Sequence, residues 1–257
     1  PVGAISHIYY ADRLNQLPLA VFGIAMGIVL LPSLSKAIKE NNTQQIETTQ
    51  NRSLEFCLLI SLPSAVGLFI LSYPIIHILF ERGAFLTSDT LYTSKVLSIF
   101  ALGLPAYILI KVLVTCFFAR EDTKTPLYIS IISVTINVIL SLLLIGSMRE
   151  MGIALATAIS AWVNTFLLFI ILYFKKNLTL DNQLFTNSTK MMLSVCVMAF
   201  ACYFLNKFLF INMTEFSTSL KVFILLLIIG SSKIIYLGMI FMLKILTIDD
   251  LKGYIRK

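Results

Sequence analysis

The sequence predicts an all-α polytopic membrane protein with about seven transmembrane helices. Of its 257 residues, 58% are hydrophobic and only 13% are charged, whereas about a quarter of the residues of a soluble domain are charged. The mean hydropathy is +0.90. The apolar residues come in runs of roughly 20, the length with which a helix crosses a hydrocarbon core ~30 Å thick. Spans are predicted near residues 4–35, 53–72, 91–118, 126–147, 151–174, 189–211 and 219–246.

Polar or short segments separate these spans. Residues 36–51 are rich in Lys, Glu, Gln and Thr and are predicted to form a polar connecting loop. Residues 74–80, "PIIHILF", are too few to cross a bilayer and are expected to lie at its interface. Pro126 suits the first turn of a helix, where its missing N–H costs no hydrogen bond.

The distribution of basic residues predicts the orientation of the chain. Twelve of the 20 Lys and Arg residues lie near span ends on one side of the membrane and five on the other. Cytoplasmic loops carry the excess of basic residues in membrane proteins. The C-terminus is therefore predicted to be cytoplasmic and the N-terminus periplasmic. This topology also accounts for the net charge of +7 without a nucleic acid partner.

Catalytic and metal-binding patterns are missing from the sequence. It contains no H-E-x-x-H, no G-x-S-x-G and no Gly-rich phosphate loop, and it has only two histidines. The four cysteines lie in apolar runs without a C-x-x-C spacing, so buried thiols are expected rather than disulfides or metal ligands. The sequence thus predicts neither an enzyme nor a resident cofactor.

Charged residues interrupt the first apolar helix, in the stretch "SHIYYADRLNQLP". A charge in mid-membrane costs at least ~2.5 kcal/mol and usually faces protein or water. One helical face carries the polar and aromatic residues Ser6, Tyr9, Tyr10, Arg13 and Gln16. Asp12 lies off this face and is expected to contact Gln16, Asn15 or another helix. Either Arg13 reaches the interface or pairs with an absent helix, or it lines a water-filled cavity and binds an anion such as phosphate.

Two lysines lie deeper inside predicted spans. Lys111 is nine residues before Arg120, ~13 Å along the helix axis, which exceeds a comfortable reach to the interface. It is expected to face the interior beside Tyr107 and Thr115. Lys233 lies near the middle of the last span, where contact with a polar neighbouring helix and a functional role are equally compatible with the pattern.

Polar stripes also mark the fourth and fifth spans. Asn137 and Ser141 share one face of the fourth span, and Thr157 lies on the polar face of the fifth. Short hydroxyl and amide side chains commonly bridge packed membrane helices, which is the favoured explanation. The alternative is a site for a coupling cation, Na⁺, formed by Asn137, Ser141 and Thr157, or coupling to H⁺.

Four motifs resemble one transporter family. The segments "YYADRLNQLPLAVFGIAMGIVLLPSLSK", "FERGAF", "AREDTKTP" and "GIALATAISAWVN" are similar to those of the lipid II flippases of the MurJ (MviN) type, within the MOP transporter superfamily. The resemblance extends over the whole chain but only over the C-terminal half of the family pattern. It therefore implies one lobe of a two-lobe transporter, with the N-terminal lobe outside this sequence.

The resemblance also implies a function for individual residues. Family members carry lipid II, an undecaprenyl-diphosphate-linked muropeptide, across the bacterial inner membrane by alternating access, through a cation-lined cavity. The arginine of their "ADRL" motif falls on Arg13, and a basic residue before "AREDTKTP" falls on Lys111. Arg13, Asp12, Gln16 and Lys111 are the candidate cavity residues. The last two spans would border a hydrophobic groove for the lipid tail, where Lys233 departs from the pattern.

Two other functions remain open at this stage. The chain could belong to a MOP exporter of another cargo, such as a different polyprenyl-linked glycan or a cationic drug. The glycan fits better, because a drug exporter would be expected to carry acidic residues in mid-span. It could also be a non-transporting fragment or a scaffold for other cell-wall proteins, in which case substitution of Arg13 would have no effect.

Overall fold

A computed structural model describes residues 3–210 and 217–245, except for the side chains of residues 21–28. In these ranges the chain forms a bundle of α-helices. Their bounds are α1 Ala4–Lys39, α2 Thr43–Ile70, α3 Ser72–Phe80, α4 Thr87–Phe118, α5 Lys124–Met148, α6 Glu150–Phe174, α7 Asn182–Leu209 and α8 Thr218–Met242.

The spanning helices follow the sequence prediction. Among the described residues, six helices are long and apolar enough to cross a membrane, namely α2 and α4–α8, and they coincide with the second to seventh predicted spans. The first predicted span lies in α1, which has 36 residues and contains Pro18 and Pro32. Helix α3 has nine residues, too few to cross, as predicted for "PIIHILF". The predicted ends at residues 211 and 246 lie outside the described residues.

The prediction of a loop over residues 36–51 is wrong. Helix α1 continues to Lys39, and α2 already begins at Thr43, because the side chain of Asn42 accepts a hydrogen bond from the backbone N–H of Gln45 at 3.1 Å. The polar composition of the segment marks where the chain leaves the hydrocarbon. It does not mark where the helices end, since Lys, Glu and Gln are good helix formers in water.

Helix α4 is the centre of the bundle and α5 its periphery. Helix α4 packs against α1, α2, α3 and α6 and is the most buried of the six candidate spans, whereas α5 is the least buried. Small residues bring α6 close to its neighbours, as is common between membrane helices. A Cβ on Gly152 would lie 2.7 Å from the carbonyl oxygen of Leu144, so α5 and α6 approach to backbone contact near their connection.

Helices α7 and α8 pack on each other, and α7 also packs on α2. A polar network joins the α6–α7 connection to α2. Arg52 pairs with both Glu55 and Asp181, and Asp181 caps α7 by accepting the backbone N–H of Leu184 at 2.6 Å. Asn187 donates to Glu55 at 3.0 Å.

A second polar network connects α3 to α4 and α8. His77 and Glu81 are 2.8 Å apart, and the Lys221 Nζ of α8 donates to the other ring nitrogen of His77 at 3.1 Å. Thr87 and Thr90 donate to the carboxylate of Glu81. Burial would raise the pKa of Glu81, but the hydrogen bonds from Thr90, His77 and Thr87 outweigh it, so this pKa lies below its usual value.

All four cysteines are free thiols. Cys57, Cys116 and Cys202 are buried, as predicted, whereas Cys196 is exposed on α7. The prediction of burial fails at Cys196 because an apolar run in a membrane helix contains a lipid-facing side as well as a core-facing side.

Candidate functional site

A cavity of about 520 Å³ lies between α1, α4 and α6. Its wall contains three of the four residues predicted to line a cavity, Asp12, Gln16 and Lys111, and it also contains Thr157. The remaining lining residues are Asn15, Leu19, Ala20, Phe100 and Tyr107. The cavity thus combines a carboxylate, an ammonium group and several neutral hydrogen-bonding groups with an apolar floor.

Gln16 connects Asp12 to Arg13 along one side of α1. Its amide nitrogen donates to the carboxylate of Asp12, and its amide oxygen accepts from Nη1 of Arg13 at 3.5 Å. The predicted contact between Asp12 and Gln16 is therefore present. The guanidinium carbon of Arg13 lies 4.7 Å from the ring centroid of Tyr9, which is within the range of a cation–π contact.

Arg13 lies beside the cavity and not in its wall. Its side chain is exposed, and the lining residues of α1 are instead spaced along the face of Asp12, Asn15, Gln16 and Leu19. The helical face predicted from Ser6 to Gln16 is therefore displaced by part of a turn. Periodicity shows which residues share a face, but the neighbouring helices α4 and α6 decide which face encloses space.

Arg13 and Lys111 are both available to an anion. Within the described residues, neither forms an ion pair. A guanidinium group has five N–H donors, and the only one that Arg13 uses in the described bonds is the long contact with Gln16. Arg13 on α1 and Lys111 on the adjacent α4 can therefore both donate hydrogen bonds to an external anion.

Two cavity residues carry buried polar atoms that have no hydrogen-bond partner in the part of the chain that the structure describes, namely Oδ1 of Asn15 and the hydroxyl of Tyr107. Gly103 makes room for this tyrosine, because a Cβ at position 103 would lie 2.8 Å from the hydroxyl oxygen. Asn15 is a cavity residue that was not predicted from the sequence. It could have been predicted from its position three residues after Asp12, since residues three apart share a helical face.

The candidate cation site joins α5 to α6. Asn137 donates to the hydroxyls of Thr157 at 3.2 Å and of Ser160 at 3.1 Å, while the hydroxyl of Ser141 is buried without a partner. These bonds fit the bridging role that polar residues have between membrane helices. No group of three or more His, Cys, Asp or Glu residues that could hold a metal ion occurs in the described ranges. Because only neutral oxygens are present and two hydroxyls already bond to Asn137, the residues fit bridging better than a cation.

A second, purely apolar groove of about 430 Å³ lies between α7 and α8. Phe200, Phe204 and Phe208 form one side, with successive ring centroids 5.6 and 4.9 Å apart. Ile235 is the lining residue from α8. The exposed Lys233 is not part of this lining.

The fold and the cavity together define the class of the protein. It is a multi-pass α-helical membrane protein whose spanning helices enclose a polar, cation-edged cavity beside a separate apolar groove, as in membrane transporters.

Comparisons with known proteins give the family. The model of the family described as "Lipid II flippase MurJ" matches residues 1–229, and the chain therefore belongs to this family. It is 46% identical over 196 residues to a probable lipid II flippase MurJ of Rhizobium tropici, covering 76% of this chain and 37% of that protein. It is 47% identical over 167 residues to that of Rickettsia prowazekii, covering 65% of this chain and 33% of that protein.

A solved structure extends the similarity to the fold. The chain superimposes on a lipid II flippase MurJ in an inward closed conformation with a TM-score of 0.69 and 30% sequence identity. The match covers 93% of this chain and 48% of that structure. The chain thus spans about half of the solved structure and less than two fifths of the two curated relatives named above.

Proposed function

We propose that this chain forms the C-terminal half of a flippase that moves lipid II across the bacterial inner membrane by alternating access. The observation that carries the proposal is the cavity between α1, α4 and α6, with Asp12, Gln16 and Lys111 in its wall and Arg13 at its edge. Membership of the lipid II flippase MurJ family supports this choice of cargo. The chain would have its N-terminus in the periplasm and its C-terminus in the cytoplasm.

The charges suggest how the head group would be held. The planar guanidinium group of Arg13 can donate two parallel hydrogen bonds to the oxygens of a diphosphate. Asp12 does not neutralise it directly, because Gln16 lies between them and bonds to both. Lys111 would add positive potential from α4 without the same geometric requirement.

The apolar groove between α7 and α8 would receive part of the polyprenyl tail. The lining residues that the structure describes are all hydrophobic, and three phenylalanines in contact form a continuous surface along α7. A hydrocarbon chain needs such a surface, whereas the head group needs the polar cavity. The two ends of the cargo would therefore bind to different helices of the same half.

Substitution of Arg13 tests the proposal in the full-length protein. Arg13→Ala should abolish lipid II flipping and fail to support growth when it is the only copy, while the protein remains in the membrane. Arg13→Lys should also fail if two parallel bonds to phosphate are required, since lysine donates from a single point.

The matched control is Lys233→Ala. This residue is also an exposed cation within a spanning helix, but it lies outside both the cavity and the groove. The control should flip lipid II normally. Normal flipping by Arg13→Ala, or an equal loss in both variants, would contradict the assigned role of Arg13.

A further inference from the structure

Three helices begin around the side chain of His7. The imidazole of His7, on α1, lies 3.1 Å from a carboxylate oxygen of Asp89 on α4 and 3.3 Å from one of Glu150 on α6. His7 and Glu150 are 4% and 3% exposed, so two of these three side chains are shielded from water. We refer to His7, Asp89 and Glu150 as the His7 cluster.

The two contacts of the ring involve different nitrogens. Nε2 faces Asp89 and Nδ1 faces Glu150. A neutral imidazole has one N–H donor and one lone pair, and an ionised carboxylate only accepts. With a neutral ring and two ionised carboxylates, one carboxylate oxygen would face a lone pair. One additional proton on the ring makes both nitrogens donors and so satisfies both contacts.

Other charged groups do not replace this proton. Tyr92 of α4 stacks on the imidazole with ring centroids 5.8 Å apart, so it contacts the imidazole through the face of its ring and not through its hydroxyl group. Arg13 of α1, Lys95 of α4 and Arg149 before α6 are exposed and form no ion pair with the cluster in the described residues. The second oxygen of Asp89 accepts the backbone N–H of Leu86 at 2.8 Å, whereas Oε2 of Glu150 is buried and has no hydrogen-bond partner among the described residues.

The energetic consequence follows from burial. Asp89 and Glu150 lie on opposite sides of one ring, and water screens the buried Glu150 poorly although Asp89 is partly exposed. The positive ends of α4 and α6 offset part of this cost. A shared proton converts both contacts into charge-assisted hydrogen bonds, and its loss leaves two carboxylates facing each other across a ring that can donate to only one.

We propose that the His7 cluster is a binding site for a single proton, and that this proton joins the first turns of α1, α4 and α6. Asp12 lies on the same helix as His7, ~7.5 Å further along the helix axis. Release of the proton would loosen the first turns of α1 next to the cavity residues. The site would thus make this end of the bundle sensitive to pH, whatever the cargo.

Nuclear magnetic resonance of the ring nitrogens tests proton binding directly. The chain has two histidines, so ¹⁵N-histidine labelling in lipid nanodiscs gives two sets of signals, and His77→Gln assigns them. The titration runs from about pH 5 to 8, where histidine is the side chain that ordinarily changes its charge. The His7 ring should show two protonated nitrogens at the acid end.

Amide hydrogen exchange of residues 4–14 tests the mechanical consequence. Corrected for the intrinsic rate, exchange should rise by roughly tenfold or more when the ring loses its second proton, because a charge-assisted hydrogen bond is lost. Exchange that does not follow the protonation of the ring would overturn the proposal. A ring with a single proton across the whole range would do the same.

Glu150→Gln separates proton binding from simple packing. The glutamine amide can donate an N–H to the lone pair of a neutral ring, so both contacts persist without the extra proton. Exchange of residues 4–14 should then remain slow and independent of pH. The control, His77→Gln, removes an imidazole–carboxylate pair elsewhere and should leave the pH profile of α1 unchanged. A Glu150→Gln profile identical to that of the unmodified chain would contradict the proposal.

Discussion

The amide of Gln16 has a single orientation that satisfies both of its neighbours. Asp12 can only accept a hydrogen bond and Arg13 can only donate one, so the amide nitrogen must face Asp12 and the oxygen must face Arg13, as observed. The glutamine therefore keeps a carboxylate and a guanidinium close together without a direct ion pair. This arrangement leaves most donors of Arg13 free for an external anion.

Gly103 provides a test of cavity shape at a single position. A methyl group on residue 103 would lie 2.8 to 3.0 Å from the hydroxyl oxygen and two ring carbons of Tyr107, so Gly103→Ala should force this side chain to move. Because Tyr107 lines the cavity, flipping in the full-length protein should fall by roughly tenfold, the effect of about 1.4 kcal/mol on the barrier. Flipping rates of proteoliposomes with equal protein content measure this change.

Gly67→Ala is the matched control. Gly67 also lies inside a helix, but a Cβ there would meet nothing within 4 Å. Alanine should be tolerated at this position and should favour the helix slightly. Equal flipping by both variants would show that the position of the Tyr107 ring has no influence on transport.

Single residues illustrate what the sequence can and cannot predict. The contact between Asp12 and Gln16 was predictable because residues four apart on a helix are neighbours. The His7 cluster was not, because its members are 82 and 143 residues apart. Helical spacing carries no information on which distant helix end lies opposite a given side chain.

At the scale of elements, the start of α7 depends on one residue with two roles. Asp181 caps the helix and pairs with Arg52 of α2. Asp181→Ala removes both interactions and should lower the free energy of unfolding by about 1–2 kcal/mol. Thermal unfolding in detergent, followed by intrinsic fluorescence, would show a lower midpoint.

Asp181→Asn separates the two roles. Asparagine is as good a cap as aspartate, but it carries no charge for Arg52. An intermediate midpoint is expected, closer to that of the unmodified chain. If the asparagine and alanine variants were equally destabilised, the cap would contribute nothing.

The connection between α4 and α5 should contribute to stability in a pH-dependent manner. Hydrogen bonds from Lys175 and Thr125 lower the pKa of Asp122 from 3.8 to about 2. Since the pKa is lowered in the folded state, the stabilisation is complete above about pH 4 and is lost as the pH falls towards 2. Asp122→Asn should therefore flatten this part of the stability profile.

Unfolding midpoints between pH 2 and 5 measure that difference. Glu121→Gln is the control, because Glu121 is an exposed neighbour in the same connection without an ion pair in the described residues. Its profile should match that of the unmodified chain. If the unfolding midpoint of Asp122→Asn fell with decreasing pH as steeply as that of the unmodified chain, Asp122 would not be the source of the pH dependence.

The first and last residues of the helices also show why hydropathy predicts the membrane spans more accurately than it predicts the ends of the helices. The predicted spans lie within or close to the observed helices, yet α2 and α7 begin at Thr43 and Asn182, well before the apolar runs at 53 and 189. Hydropathy reports the solvent around a segment. Asn42 and Asp181 determine where these two helices begin, through hydrogen bonds to the backbone in water.

At the scale of the whole molecule, transport depends on how much of a transporter this chain supplies. Tyr9 and Leu17 are exposed on the helix that carries the cavity residues, and the chain covers 48% of the solved flippase that it resembles. Transport by rocking of two lobes requires both. Expressed alone, residues 1–257 should insert in the membrane but fail to support growth after depletion of the native flippase.

Co-expression provides the comparison for that prediction. The same segment together with a separately encoded N-terminal half of the full-length protein should restore growth at least in part. A cell that grows on residues 1–257 alone would show that this half transports without a second lobe. Membrane fractions probed with an antibody confirm equal amounts of protein in both strains.

The peripheral position of α5 has a consequence for the influence of the lipid. Its 25 residues extend ~37 Å along the axis, more than the ~30 Å of an average hydrocarbon core, so a tilt of the helix is one way to match the bilayer. Almost all of its packing is against α6, and Asn137 bonds to Thr157 in the cavity wall. A change of bilayer thickness that alters the tilt of α5 would reach Thr157 through this bond, so the acyl-chain length of the surrounding lipids would act on the wall of the cavity.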